Sequence, residues 1–226
     1  MGLELGDDYR VLKLGGSLIT DKRVPYSFRE EVIRQIVKEL KGFKVVLVHG
    51  GGSFGHYEAS INDSFRTTRT ALAMHDLNLR ITRVLLSEGI KAFPLPGRCF
   101  SLDGIHEILE NGFVPITYGD VLPNGEIISG DDLTLTLAKH FKVIALFAVD
   151  VDGVMVGGKV KDRINSLEGI VDLETGRYDV TGGIVGKIKK IFQYRVNSLI
   201  FNGKDPANVY KALRGEKVGT LVEAEG

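Results

Sequence analysis

The sequence predicts an α/β fold with a largely parallel sheet, and three observations carry that reading. Short apolar runs of strand type alternate with amphipathic helical patterns almost from end to end. The runs KVVLVH (44–49) and VIALFAV (143–149) are apolar nearly throughout, as strands buried on both faces require. Glycine-rich and acidic segments follow the runs directly, at the carboxyl ends of strands, where parallel α/β sheets hold their ligands.

Taken in order, YRVLKL (9–14) reads as a strand. SFREEVIRQIVKELK (27–41) puts Phe28, Val32, Ile36 and Leu40 on one helical face, with Ser27 placed as N-cap. KVVLVH is the second strand, and a helical stretch at roughly 67–88 follows the glycine-rich loop after it. A short strand near 91–95, a helix at 104–111 and the strand FVPIT (113–117) come next. GDVLPNGEIIS (119–129) contains Asn124-Gly125, a strong hairpin signal. A helix at 131–141 leads into VIALFAV, and GVMVGGKV (153–160) reads as another hairpin. A helix at 183–195, the strand SLIFN (198–202) and a helix at 206–213 follow. Nothing resembles a linker, a low-complexity tract or an internal repeat, so 1–226 reads as a single domain. Any division into lobes must lie within one continuous sheet.

Composition narrows the function. The 226 residues suffice for a sizeable core, and 29 basic residues cancel 29 acidic ones, leaving no electrostatic footprint for nucleic acid or an anionic membrane. One cysteine, Cys99, excludes a disulfide framework and a multi-cysteine zinc site; alone it reads as a small half-buried hydrophobe. No apolar run approaches the roughly 20 residues of a membrane span. The start MGLELGDDYR is acidic, lacks a secretory apolar region, and has Gly6 where a myristoylation signal wants Ser or Thr, so a cytoplasmic location is expected.

Five loops invite chemistry. KLGGSLITDK (13–22) and HGGGSFGH (49–56) have glycine backbones able to face an anion; the first alone also reads as a tight turn. ISGDD (128–132) opens a helix, where Asp131 and Asp132 serve equally as caps. DVDGV (150–154) suits a metal or ribose, or a plain polar exit from a strand; DVTGGIVGKIKK (179–190) carries Lys187 in the first turns of a helix. The P-loop spacing is absent, since Gly182 to Gly186-Lys187 is one residue short and Ile188 takes the Ser/Thr position. No G-x-G-x-x-G follows the first strand. Several anion-binding loops, two or three lysines and a few aspartates are together the equipment of phosphoryl transfer.

K-x-G-G-S near the N-terminus, HGGG after the second strand, GDD before a helix, DVDGV, and TGG-x-x-x-K, in this order over the whole chain, resemble the amino acid kinase superfamily. ITDK and HGGGSFGH resemble its isopentenyl phosphate kinase branch; the segment from His56 to the helix near Met74 is shorter than that pattern. The resemblance implies an open αβα sandwich with a mainly parallel central sheet. It also implies an acceptor lobe at about 1–140, a nucleotide lobe at about 141–226, and a homodimer. The implied reaction is ATP-dependent phosphorylation of isopentenyl phosphate to the diphosphate, with Mg²⁺ held mostly by ATP and water and with no protein metal site. By the same resemblance, Lys13 and Lys187 flank the transferring phosphoryl group with Asp132 between them, and Lys22 reaches toward a phosphate. Gly15, Gly16 and Ser17 offer N–H groups to ATP, with Gly51, Asp150, Gly153 and Gly183 also on the nucleotide side. Gly50, Gly55, His56, Ser129 and Gly130 cradle the acceptor, His56 marking it as a phosphate. A fosfomycin-type phosphonate kinase shares this histidine loop, and a sensor of the same fold that has lost catalysis is a third reading; intact Lys13, Lys187 and Asp132 argue against the sensor. Among the other histidines, His49 is expected to bond backbone, and His75, His106 and His140 lack a metal-spaced partner in sequence. Aromatic and leucine residues at 72–86 suit either a tail pocket or plain core packing.

Overall fold

A computed structural model describes residues 9–156, 158–167 and 183–224. The first half runs β1 (Tyr9–Leu14), α1 (Gly16–Ile19), α2 (Glu30–Glu39), β2 (Lys44–His49), α3 (Gly52–Ser60), α4 (Arg66–Ser87), β3 (Ala92–Leu95), a 3-10 turn (Gly97–Cys99), α5 (Leu102–Glu110) and β4 (Val114–Tyr118). The hairpin β5 (Asp120–Val121) and β6 (Ile127–Ile128) leads to α6 (Gly130–Phe141) and β7 (Ala145–Val149). A second hairpin, β8 (Met155–Val156) and β9 (Lys159–Val160), precedes β10 (Arg163–Ile164). Then come α7 (Gly183–Tyr194), β11 (Ser198–Asn202), α8 (Pro206–Leu213) and β12 (Thr220–Val222).

Eight strands form one sheet in the order β10-β12-β11-β7-β1-β2-β4-β3. From β3 to β11 every pairing is parallel; β12 runs antiparallel to β11, and β10 lies parallel to β12 at the edge. Alternation along the strands divides the core into two layers. Leu12, Leu14, Leu47 and Leu146 pack with α2, α4 and α8, while Val11, Val46, Val48 and Phe147 pack with α5, α6 and α7. The fold is the αβα sandwich expected, with β1 at its centre.

Four local expectations change. HGGGSFGH is not a loop throughout: α3 starts at Gly52 and carries His56 in its second turn. The first glycine segment tightens into the single-turn α1. Arg29, not Ser27, is the N-cap of α2; the Ser27 hydroxyl instead accepts from the Asp21 N–H at 2.6 Å. The short strands β10 and β12 carry too few residues to stand out in sequence. Residues 1–8 of the N-terminal segment, and residues 179–182 of the fifth loop, lie outside the described residues. Among the described residues no helix is long and apolar enough to cross a membrane.

Candidate active site

The parallel strands β1, β2, β4 and β7 end on the same side, so the turns after them converge. Two of those turns press backbone on backbone. A side chain at Gly16 would place its Cβ 2.4 Å from the Gly52 nitrogen, and Gly52 itself has φ +48°, with a Cβ 2.2 Å from the Thr20 hydroxyl. Glycine is needed here for loop-to-loop contact and for a left-handed backbone as much as for any ligand. The result is a cleft of about 930 Å³ whose lining includes every residue that the sequence singled out for the site.

Its floor is electrostatic. Lys13 on β1 lies opposite Phe147 on β7, so both side chains point to the α6–α7 face. Lys187 comes from the second turn of α7, and both ammoniums sit over the Phe147 ring, Lys187 Nζ at 4.6 Å and Lys13 Nζ at 6.0 Å from its centroid. The carboxylate between them is Asp131, not Asp132. Its Oδ1 accepts from Lys13 Nζ and, at 2.6 Å, from Lys187 Nζ. Asp132 turns aside and takes Lys190 Nζ at 2.8 Å. One residue is about 100° of helix rotation, which decides the matter. Counting three, four and seven residues on from Asp131 meets Thr134, Leu135 and Ala138, all buried; from Asp132 it meets the buried Leu135, the half-buried Thr136 and the exposed Lys139.

Burial alone would raise the Asp131 carboxyl, but the two ammoniums and their hydrogen bonds outweigh it and hold the group well below the ordinary carboxylate range. Burial, and then the neighbouring Lys13 charge, push Lys187 down to about 8 against the pull of Asp131.

The amides around this floor are unequally available. Gly15 N–H is committed to the Ala148 carbonyl at 2.8 Å, and Gly50 N–H to Leu14 at 3.0 Å. Gly16 and Ser17, which open α1, are the better placed donors of that loop. Ser17 Oγ also bonds Asp150 Oδ1 at 2.9 Å, tying the first loop to the exit of β7. Gly55 N–H is spent inside α3 on Gly51 O, so Gly55 offers no amide to an acceptor. A Cβ there would lie 2.5 Å from the Met74 sulfur, so a side chain at this position would displace the methionine. Ser129 caps α6 by accepting from the Asp131 N–H at 3.2 Å, and Gly130 begins that helix, its N-terminus opening into the cleft. Gly153, Gly183 and Asp150 also line the cleft.

His56 and Lys22 share the cleft wall with a set that sequence reading did not single out: Ala59, Thr70, Met74, Ile127 and Ile128. Of the stretch 72–86, only Met74 faces the cleft, while Leu77, Ile81 and Leu85 belong to the core. His49 is fully buried and stacked on Tyr118, with burial pushing its pKa down to about 4. Since Asn78 Nδ2 can only donate to His49 Nε2 (3.1 Å), the ring proton sits on Nδ1 and bonds the Gly50 carbonyl at 3.0 Å. His106 and His140, distant in sequence, meet with their Nε2 atoms 2.7 Å apart. Among the described residues no group of three or more metal-ligating side chains occurs.

A buried lysine–aspartate–lysine floor under converging glycine turns and helix N-termini is equipment for moving a phosphoryl group. The chain belongs to the amino acid kinase family, which it matches over residues 8–199, and it is a phosphotransferase. It is 35% identical to the isopentenyl phosphate kinase of Methanocaldococcus jannaschii, with 94% of this chain and 98% of that protein covered. It is 29% identical to the isopentenyl phosphate kinase of Thermoplasma acidophilum, with 94% and 99% covered. A solved isopentenyl phosphate kinase structure superimposes with a TM-score of 0.79 at 28% identity, covering 95% of this chain and 99% of that one.

Proposed function

We propose that the cleft transfers the γ-phosphoryl group of ATP to isopentenyl phosphate, giving isopentenyl diphosphate and ADP. The observation that carries this is the lining of the cleft. His56, suited to a phosphate, lines it together with Ala59, Met74, Ile127 and Ile128, apolar surface that fits a short hydrocarbon tail better than a uridine, an amino acid or fosfomycin. The similarity to isopentenyl phosphate kinases supports the same acceptor.

In this reading the acceptor occupies the part built within about 1–140, against Gly50, His56, Ser129 and Gly130, with Gly55 serving through its missing side chain. ATP lies along Gly16, Ser17, Gly51, Asp150, Gly153 and Gly183, toward the part within about 141–226, and Gly15 contributes shape and not an amide. An acceptor phosphate oxygen forms the new bond to the γ-phosphorus while the bond to the β,γ-bridging oxygen breaks, its electrons leaving with ADP. A phosphate dianion needs no general base, so His56 holds the nucleophile in line and does not deprotonate it. Lys13 and Lys187 meet the charge on the equatorial oxygens, preset by Asp131, and Lys22 closes from the loop above. The cleft offers carboxylate oxygens, Asp132 and Asp150, and no thiolate, which fits a hard cation. Mg²⁺ would ride chiefly on the nucleotide phosphates, whose charge it neutralises.

The test is ADP release across isopentenyl phosphate, dimethylallyl phosphate, fosfomycin, acetylglutamate and UMP, with and without a divalent chelator. The highest kcat/KM is expected for isopentenyl phosphate, and chelation should abolish turnover, with Mg²⁺ or Mn²⁺ restoring it. A clear preference for fosfomycin or UMP would overturn the acceptor.

Lys187 sets a pH limb. Its ammonium is present below about 8 and lost above, so kcat/KM for ATP in the free enzyme should fall as pH rises through about 8. Bound phosphates favour the charged form and move the limb in kcat upward. In Lys187→Arg, whose guanidinium stays charged, the remaining activity should be flat there; an unchanged limb would assign it to another group.

We also infer a homodimer. Leu72, Leu79 and Leu86 are exposed at seven-residue spacing along α4, an apolar stripe suited to a second copy. Light scattering should give twice the 24.8 kDa chain mass, and Leu79→Glu with Leu86→Glu should halve it.

A further inference from the structure

The loop between α1 and α2 carries Lys22 and ends in a strained residue. Tyr26 has φ +56°, a left-handed backbone that a bulky side chain adopts only when its surroundings insist. What insists is α3. Tyr26 N–H donates to the Ser53 carbonyl at 3.2 Å, and its ring packs edge-on against Phe54 and Tyr57, with centroids 5.0 and 6.0 Å apart. Its hydroxyl donates to Glu58 Oε1. Glu58 is a buried carboxylate, 5% exposed, whose Oε2 accepts from Arg69 Nε at 2.6 Å, and Arg69 Nη2 spans to both oxygens of Asp63 at 2.9 and 3.0 Å. Four side chains thus join the Lys22 loop, helix α3, the turn after it and the start of α4. Nearer the glycines, the Ser27 and Ser53 hydroxyls lie 3.0 Å apart and Ser53 N–H bonds Thr20 Oγ1 at 2.9 Å, a second fastening between the same two segments.

A buried carboxylate is costly unless it is fully used, and Glu58 is used on both oxygens by partners from two other segments. It stands two residues after His56 on α3, and Tyr26 stands four after Lys22. We propose that Tyr26 and Glu58 are positioning residues for the transfer: their bond, braced by Arg69, registers the Lys22 loop against the helix that presents His56. Neither side chain touches the reacting atoms. Without the clasp the strained turn at Tyr26 relaxes, and Lys22 and His56 lose their common frame. The proposal rests on the roles given above to Lys22 and His56.

The experiment uses the full chain as Tyr26→Phe, Glu58→Leu, whose side chain can neither accept from nor donate to Tyr26, and the double variant. Tyr26→Phe deletes one oxygen from a half-exposed ring and keeps its packing, so it is the variant sure to fold. Three readouts are taken: kcat and KM for isopentenyl phosphate, Tm, and tryptic cleavage after Lys22 and Arg23 without substrate, followed by mass spectrometry. Tyr26→Phe should lose about 10-fold in kcat through misplacement alone, with its Tm close to the parent's. The double variant should be no slower than the Glu58 variant alone, because the Tyr26 hydroxyl acts only through Glu58. Cleavage after Lys22 and Arg23 should accelerate. Parental kcat in Tyr26→Phe, multiplicative losses in the double, or a loss that merely follows a fall in Tm each overturn the proposal. A parent protein inactive on isopentenyl phosphate overturns the acceptor assignment alone; the cleavage arm then decides the clasp, and unchanged cleavage in Tyr26→Phe sinks it.

Discussion

Asp131→Asn is expected to lower kcat by about 10²-fold or more, the scale seen when a preorganised transition-state charge is lost, while Asp132→Asn stays within a few-fold of the parent. The asymmetry follows from geometry. Asp131 is the one carboxylate bonded to both Lys13 and Lys187, whereas Asp132 holds Lys190 at the edge of the cleft. Removing the Asp131 charge leaves two ammoniums side by side over Phe147, repelling each other. It also removes the pull that holds the Lys187 pKa up, so the ammonium becomes easier to lose. Lys187→Ala should cost a similar factor, and Asp131→Asn with Lys187→Ala should cost little more than either, since the three groups act as one unit. The measurement is kcat for the single and double variants at saturating ATP. Equal effects at 131 and 132, or a larger one at 132, would show that the structure has the wrong aspartate between the lysines.

His56→Ala should cut turnover of isopentenyl phosphate by about 10²-fold, again the cost of one aligned donor, while His56→Gln retains a measurable fraction. Glutamine keeps an N–H of similar reach; alanine keeps none. Because His56 sits in the second turn of α3, alanine is compatible with the helix and the loss is one of function, not folding. ATP binding measured without acceptor should be the same for all three proteins, since the nucleotide is assigned to the other end of the cleft. If His56→Ala phosphorylates isopentenyl phosphate as well as the parent, the residue is structural and the phosphate acceptor loses its main support.

Much of this molecule is local information. Apolar runs buried on both faces, a 3.6-residue periodicity between them, and Asn124-Gly125 for a hairpin define elements through properties of neighbouring residues. They placed nearly every strand and helix of the sandwich, together with the side of the sheet where the loops converge. The loops that line the cleft share that legibility, because parallel strands deliver the turns after them to one edge whatever the details of packing. Only the tertiary structure decided which of two adjacent aspartates faces the lysines, since that turns on the rotation of α6 against β1 and β7. It alone showed that Gly16 and Gly52 are glycines because two backbones touch, and that Gly55 makes room for Met74. It brought His106 to His140 and Tyr26 to Glu58 and Arg69. The physical reason is common to these cases: contact between residues far apart in the chain depends on how helices settle on the sheet, and a change of 100° or of one ångström there leaves every local pattern in the sequence unaltered.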